Sequence, residues 1–343
     1  MKFRYCITAI WCLIFLASAF PHAVSAQDDI ATQAFEVRWT GQWISVTSND
    51  GLWLFDAENL EADPIHYFPS TRIVIAAGDP VRNRMAVYDE AAHSMLIIEP
   101  TSGDIITELP TDFAALGLDE PEPARDLHYS DDGKLLALVF PSRIIIYNAA
   151  TSRERTFYQN DLFITIDSDV EPGTFVAGTG YGMFLIYTPD ADYASDFLET
   201  GGGALDDEAI FRLEILPTTS EVLYQQGNSL MRTNLETDEA GFSPMIPLFD
   251  AQVYGFDLNK AGDTVAVALW DKTVVYDLTT HTVVHEIGTN GDNNAAFSLA
   301  FSDDGSQFAA LDWAGSLQIW DVATGEFVED VHKFDYGSSV WSG

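Results

Sequence analysis

The chain has 343 residues and a formal net charge of −37, with 53 acidic side chains against 16 lysines and arginines. A surface so acidic repels phosphate backbones and anionic headgroups, which excludes nucleic-acid binding and membrane-surface binding. The charge suits a soluble exported protein, or one that attracts a cationic partner or divalent cations, and composition does not separate the two.

The first 26 residues read as an export signal. Lys2 and Arg4 give a positive start, and Val24-Ser25-Ala26 is a small-residue cleavage site. Tyr5 to Phe20 is apolar but shorter than the roughly 20 residues a membrane-spanning helix needs. Cleavage after Ala26 is expected to release a secreted or periplasmic chain that starts at Gln27, with no membrane insertion afterwards. Cys6 and Cys12 leave with the signal, and Cys12 lacks the small-residue context of a lipid anchor. The mature chain then has no disulfide, thiol nucleophile or thiolate metal site. Its charge becomes 14 minus 53, or −39.

Residues 27–343 contain no Pro/Ser/Gly-rich linker and are expected to form a single domain. The first unit ends Asn49-Asp50-Gly51-Leu52-Trp53-Leu54-Phe55-Asp56, a turn followed by a strand that closes on an aromatic and an acid. The second ends at Ile98-Glu99. Thr111 to Leu118, before Pro121 and Pro123, reads as a helical turn in an insertion. Ser130-Asp131-Asp132-Gly133 leads to Tyr147-Asn148 in the third unit, and Tyr187 and Thr233 hold the same place in the fourth and fifth. Asn259-Lys260-Ala261-Gly262 leads to Tyr276-Asp277 in the sixth. The seventh runs from Ser302-Asp303-Asp304-Gly305 to Trp320-Asp321, with strands over Phe308 to Leu311, up to Trp320, and over Phe327 to Val331. Successive spacings between the strand-end residues are 43, 49, 40, 46, 43 and 44. That period fits roughly 40 to 45 residues per four-stranded propeller blade. The polar residue after each aromatic is suited to bond the backbone of the next turn.

These units resemble WD40 repeats, and Phe35 to about His332 resembles a seven-bladed WD40-type β-propeller of an exported bacterial type. The expected fold is all-β, with seven four-stranded antiparallel blades. The family's Gly-His dipeptide is missing, and Ala314 stands where the seventh unit should have its hairpin aspartate. The family's buried hydrogen-bond network is therefore not expected, and aromatic packing between blades must replace it. Four strands per unit leave no need for an exchanged strand at ring closure.

No catalytic set stands out, and no cofactor or metal is expected. His281 and His285 fall four apart on a predicted strand but lack a third ligand. Asp167-Ser168-Asp169-Val170-Glu171-Pro172-Gly173 and the looser Asp190, Asp192, Asp196 have oxygen spacing suited to calcium, yet the first set coincides with a hairpin turn. Gly178-Thr179-Gly180-Tyr181-Gly182 precedes a strand and reads as a hairpin rather than a phosphate loop. Trp43, Trp53, Trp270 and Trp313 are expected to pack between blades. Gly201-Gly202-Gly203 and Gly288 to Asn294 are flexible connections on the rim.

Aligning the first strands on Phe301 places Glu36, Arg38, Arg72, Asp126, His128, Arg212, Glu214 and Asp257 opposite Ser298 and Ala300. Arg38, Arg72 and Arg212, with Arg125 adjacent, are the candidate ligand-binding residues. They either pair with neighbouring acids and fix blade order, or offer forked donors to an anionic group. The expected function is a monomeric, non-enzymatic binding or scaffold protein that receives a protein or a small anionic ligand on its rim or in its channel. The alternatives are a propeller enzyme of the lactonase, lyase or quinoprotein type, and a structural part of an envelope assembly.

Overall fold

The computed structural model describes residues 33–111, 122–149, 154–158, 162–168, 174–187, 198–200, 209–217, 219, 221–234, 252–288 and 295–334. Among them lie 27 strands and no helix, arranged in seven antiparallel sheets. Six sheets have four strands paired in chain order. The fifth has three, Ile210–Ile215, Glu221–Gln226 and Ser229–Asn234, and residues 235–251 after it lie outside the described set. The expected helical turn, the Gly201–Gly203 loop, the acids at 190, 192 and 196, and residues 169–173 of the calcium-like stretch also lie outside it.

The first strands of the sheets are Ala34–Thr40, Ile73–Gly78, Asp126–Tyr129, Phe163–Ser168, Ile210–Ile215, Val253–Leu258 and Ala296–Phe301. Each touches the first strand of the sheets on either side, and the last touches the first. The sheets are therefore seven blades of a β-propeller, with these strands innermost around a channel.

The packing shows why the ring must close. Seven hydrophobic clusters hold the molecule together, and each is built from two adjacent blades. No blade owns a core, so each is stable only between neighbours. Second strands such as Trp43–Ser48 and Leu135–Phe140 are buried at every residue, because neighbours cover both faces. That accounts for the unbroken apolar run Leu135–Phe140.

The repeat read from the sequence has a register behind it. Phe55, Ile98, Tyr147, Tyr187, Thr233, Tyr276 and Trp320 pair with Ile44, Met85, Leu136, Phe175, Val222, Val265 and Phe308, one position into the second strand or at its start. The acids that follow hold the next turn, as expected. Asp56 accepts from Glu58 N (2.9 Å), Glu99 from Ser102 N (2.7 Å), Asp277 from Thr279 N (2.7 Å) and Asp321 from Thr324 N (2.8 Å). Gly133, Gly262 and Gly305 close their turns at φ of 65°, 73° and 69°, where a side chain would be strained.

The ring closes without strand exchange among the described residues. The end of the last strand reaches the outer part of blade 1, where His332 and Phe334 meet Trp53 and Phe55. Ring centroids lie 5.2 Å apart for Trp53–His332, 5.8 Å for Trp53–Phe334 and 5.5 Å for Phe55–His332. His66 stacks on the other side of the group, 3.9 Å from Trp53 and tilted by 12°. Phe334 is only 2 % exposed.

Two expectations are corrected here. His281 sits in a turn at φ 57°, ahead of the strand Thr282–Gly288, so it does not share a strand face with His285. His285 instead bonds Ala323 O of the next blade at 2.9 Å. Trp270 is 63 % exposed rather than packed between blades. Gly178 to Gly182 form a hairpin connection between Phe175–Thr179 and Phe184–Tyr187, as the sequence implied.

Candidate functional site: the channel and its mouth

Along the inner strands one residue in two belongs to the core between blades. Val37, Leu127, Ile166, Leu213, Phe256 and Leu299 are at most 2 % exposed. Their neighbours in the chain line a cavity of about 380 Å³ in the channel. Glu36, Arg38, Asp126, His128, Arg212, Glu214 and Asp257 all line it, together with Arg125, Asp131, Asp167 and Lys260. Arg72 does not, because it lies one residue before its inner strand, pairs with Glu90 at 3.3 Å and sits over the Phe35 ring.

The channel groups form a girdle that links blade to blade. Ser298 of blade 7 accepts from Val37 N of blade 1 (3.1 Å). Arg38 of blade 1 reaches past blade 2 to blade 3, donating from Nη2 to Asp126 Oδ1 and from Nη1 to Leu127 O, both at 2.8 Å. Its Nε donates to Glu36 at 3.0 Å. Blade 2 presents Ala77, Gly78 and Pro80 to the cavity, none of them with a long side chain. A Cβ on Gly78 would come within 2.4 Å of Thr40. Asp126 also accepts from Ile166 N of blade 4 (3.0 Å), and Asp167 of blade 4 accepts from Ile215 N of blade 5 (2.7 Å). Arg212 of blade 5 reaches Asp257 of blade 6 (3.5 Å), which accepts from Phe301 N of blade 7 (2.7 Å). His128 closes on Asp167 at 3.0 Å. Arg38 and Arg212 thus pair with acids of other blades, one of the two arrangements open to the aligned inner-strand residues.

Charge states follow from this sharing. Burial opposes ionisation of Asp126, but Arg38 and the Ile166 N–H outweigh it and its pKa falls below the usual range. Burial pushes Asp257 up to about 6. Glu214 rises well above its ordinary value through burial, then through Asp167 and Asp257. One guanidinium, Arg212, lies 3.3 Å from Glu214 and 3.5 Å from Asp257, and it does not neutralise both. Burial would lower His128, yet Asp167 raises it by more.

At the mouth, the inner strands share a step that the sequence did not disclose. Pairing with the second strand shifts register across Phe35, across Val74 and Ile75, and across Ile164, Phe211, Tyr254 and Phe297. Each shift is a β-bulge, which inserts one residue without a partner and re-aims its side chain. In blade 3 Arg125 stands at this place, donating its N–H to Val139 O (2.8 Å) while Asp126 pairs with Val139. Because the step falls near the start of every inner strand, these residues surround one mouth. Arg125, Ile164 and Phe211 line the cavity itself. Tyr254 and Phe297 pack on Trp313, at 5.7 and 4.6 Å, and Tyr254 lies 6.0 Å from the exposed Trp270.

No family model and no characterised protein matches the sequence. Solved structures do match in fold. The β-propeller domain of Cps50 (Swd1) from Myceliophteria thermophila aligns with TM-score 0.65 at 12 % identity, over 85 % of this chain and 99 % of that one. The C-terminal WD40 domain of Sif2 aligns with TM-score 0.60 at 14 % identity, over 88 % and 83 %. Hydrazine synthase of Kuenenia stuttgartiensis aligns with TM-score 0.66 at 13 % identity, over 89 % and 99 %. The chain has the architecture of a seven-bladed β-propeller, and identities this low speak for the fold alone.

Proposed function

We propose that this chain is an exported, non-enzymatic binding protein that takes a protein partner at the mouth of its channel. One observation supports the reading. The bulges set Phe35, Phe211, Tyr254 and Phe297 around that mouth, beside the exposed Trp270, giving an aromatic surface on an otherwise acidic molecule. Phe211 and Trp270 are exposed and the other three half-buried, and aromatics at a surface supply contact area at low entropic cost and carry much of the binding energy in interfaces. Of the four candidate arginines, Arg38 and Arg212 are engaged with carboxylates and Arg72 with Glu90. Arg125 makes no side-chain bond among the described residues, and its fork is the one to meet a carboxylate of the partner.

The assembly reading keeps one observation in its favour. Val283, Val284, Phe327 and Val328 are exposed apolar residues on the outer strands of adjacent blades 6 and 7. A comparison of three baits separates the two readings, using the mature chain against its own envelope and medium fractions. A partner retained by the wild type and by Val283→Ser/Val328→Ser, but lost with Phe211→Ser/Trp270→Ser, places binding at the mouth. The opposite pattern places it on the outer strands.

A further inference from the structure

A second cavity, about 210 Å³ in volume, opens between blades 6 and 7, away from the channel. Asp312, at the end of a second strand and 3 % exposed, lines it. Its Oδ1 accepts from Ser316 N at 2.7 Å, while its Oδ2 is buried and has no hydrogen-bond partner. A buried carboxylate oxygen without a donor is unfavourable, and native proteins almost always supply one. Lys333 is near but gives its Nζ to Ser316 Oγ (2.8 Å), so it offsets the charge only at a distance. Burial accordingly raises the pKa of Asp312.

The walls restrict what the missing donor is. Ile287, Trp320 and Phe327 give an apolar lining, with the two rings edge to face at 5.5 Å. Asp330 is the other charged residue of the described lining, and no Lys, Arg or His lines it, so an anion is repelled. No group of three or more metal-ligating side chains occurs among the described residues, whereas a hard divalent cation needs more oxygens than two carboxylates offer. An organic cation with a short alkyl part meets both demands. Its chain lies on the apolar walls and the Trp320 face, and its ammonium donates to Asp312 Oδ2.

We propose that this interblade cavity is a binding site for an alkylammonium group, either a free primary amine or the side chain of a lysine. It is independent of the channel mouth. The test is calorimetric titration of the mature chain with n-butylammonium, Nα-acetyl-lysine amide, and n-butanol as the neutral analogue. Asp312→Asn keeps the Ser316 contact and removes the charge. Gly288→Leu narrows the cavity by another route, since a Cβ at Gly288 meets nothing within 4 Å. The expected result is that butylammonium binds at least tenfold more tightly than butanol, and that either variant loses at least tenfold. Equal binding of the lysine amide points to a polypeptide source, and binding of butylammonium alone to a free amine. Butylammonium no tighter than butanol, or binding untouched in both variants, overturns the proposal.

Discussion

Neighbouring blades are held together in two chemically different ways, and the difference follows the water. In the channel, where side chains such as Arg38 keep 21 % of their surface, the links are charges and directed hydrogen bonds. At the outer seam between blades 7 and 1, Phe334 is almost fully buried and the links are tilted and edge-on rings. Polar links survive where solvent still reaches them, because ionised groups there have not lost all their hydration. Rings suit a place where water is excluded, because they have little to lose on leaving it.

The sharpest way to break the comparison is to remove the seam. Phe334→Ala should lower the unfolding free energy by about 3–5 kcal/mol, the range for emptying a buried phenylalanine site. The measurement is the midpoint of denaturant unfolding, with the slope unchanged. A loss below about 1 kcal/mol would show that the ring does not depend on this closure.

The girdle should respond more weakly. Arg38→Gln takes the guanidinium from Asp126, which keeps the Ile166 N–H, and removes the donor to Leu127 O, and a loss of about 2 kcal/mol is expected for so open a pair. Arg72→Gln, which removes one exposed ion pair, should stay within about 0.5 kcal/mol of wild type. Equal effects would mean that position in the channel confers nothing.

pH sharpens the contrast because the two regions titrate with opposite sign. Asp257, Glu214 and His128 have raised folded pKa values. The native state therefore holds more protons than the unfolded chain, and stability grows as pH falls through those values. His332, in the seam, is lowered by burial, and its contribution is present above the usual histidine range and lost as pH falls below it. Melting temperature should rise from pH 8 to about 5.5, where Asp257, at about 6, is mostly protonated. Glu214→Gln should flatten that rise and His332→Phe should steepen it. A melting temperature that falls over this window contradicts the assignment.

The smallest effect is that of salt. With a formal net charge of −37, self-repulsion of the surface should ease as sodium chloride is added, raising the melting temperature by a few degrees. Neither the seam nor the half-buried girdle should weaken much. A fall in melting temperature would mean that exposed ion pairs outweigh the repulsion.

What the sequence disclosed was whatever repeats with the blade. The strand-end aromatics were legible because each occupies one register against its second strand. Most channel residues were legible because inner strands alternate between core and channel. Blade 2 shows why Arg72 was misplaced: Ile73-Val74-Ile75-Ala76-Ala77 has no alternation, so nothing marks which residues face inward. Asp167 was read as part of a turn, although it lies within an inner strand, since Asp-Ser-Asp looks alike in both settings. The bulges, the reach of Arg38 past a blade and the unpartnered Oδ2 of Asp312 arise from pairing and distance across the ring. No local pattern encodes them.

The bulged residues also bear on how such a molecule could change its partner. Each interrupts the ladder of its own strand, so its identity is tied to no cross-strand neighbour. Read around the mouth they spell Phe35, Val74, Arg125, Ile164, Phe211, Tyr254 and Phe297, one letter from each blade. Rewriting that seven-letter word leaves the ladders and much of the interblade cores as they were. Selection acting on recognition and selection acting on folding thus fall largely on different residues, and the two can drift apart without either undoing the other.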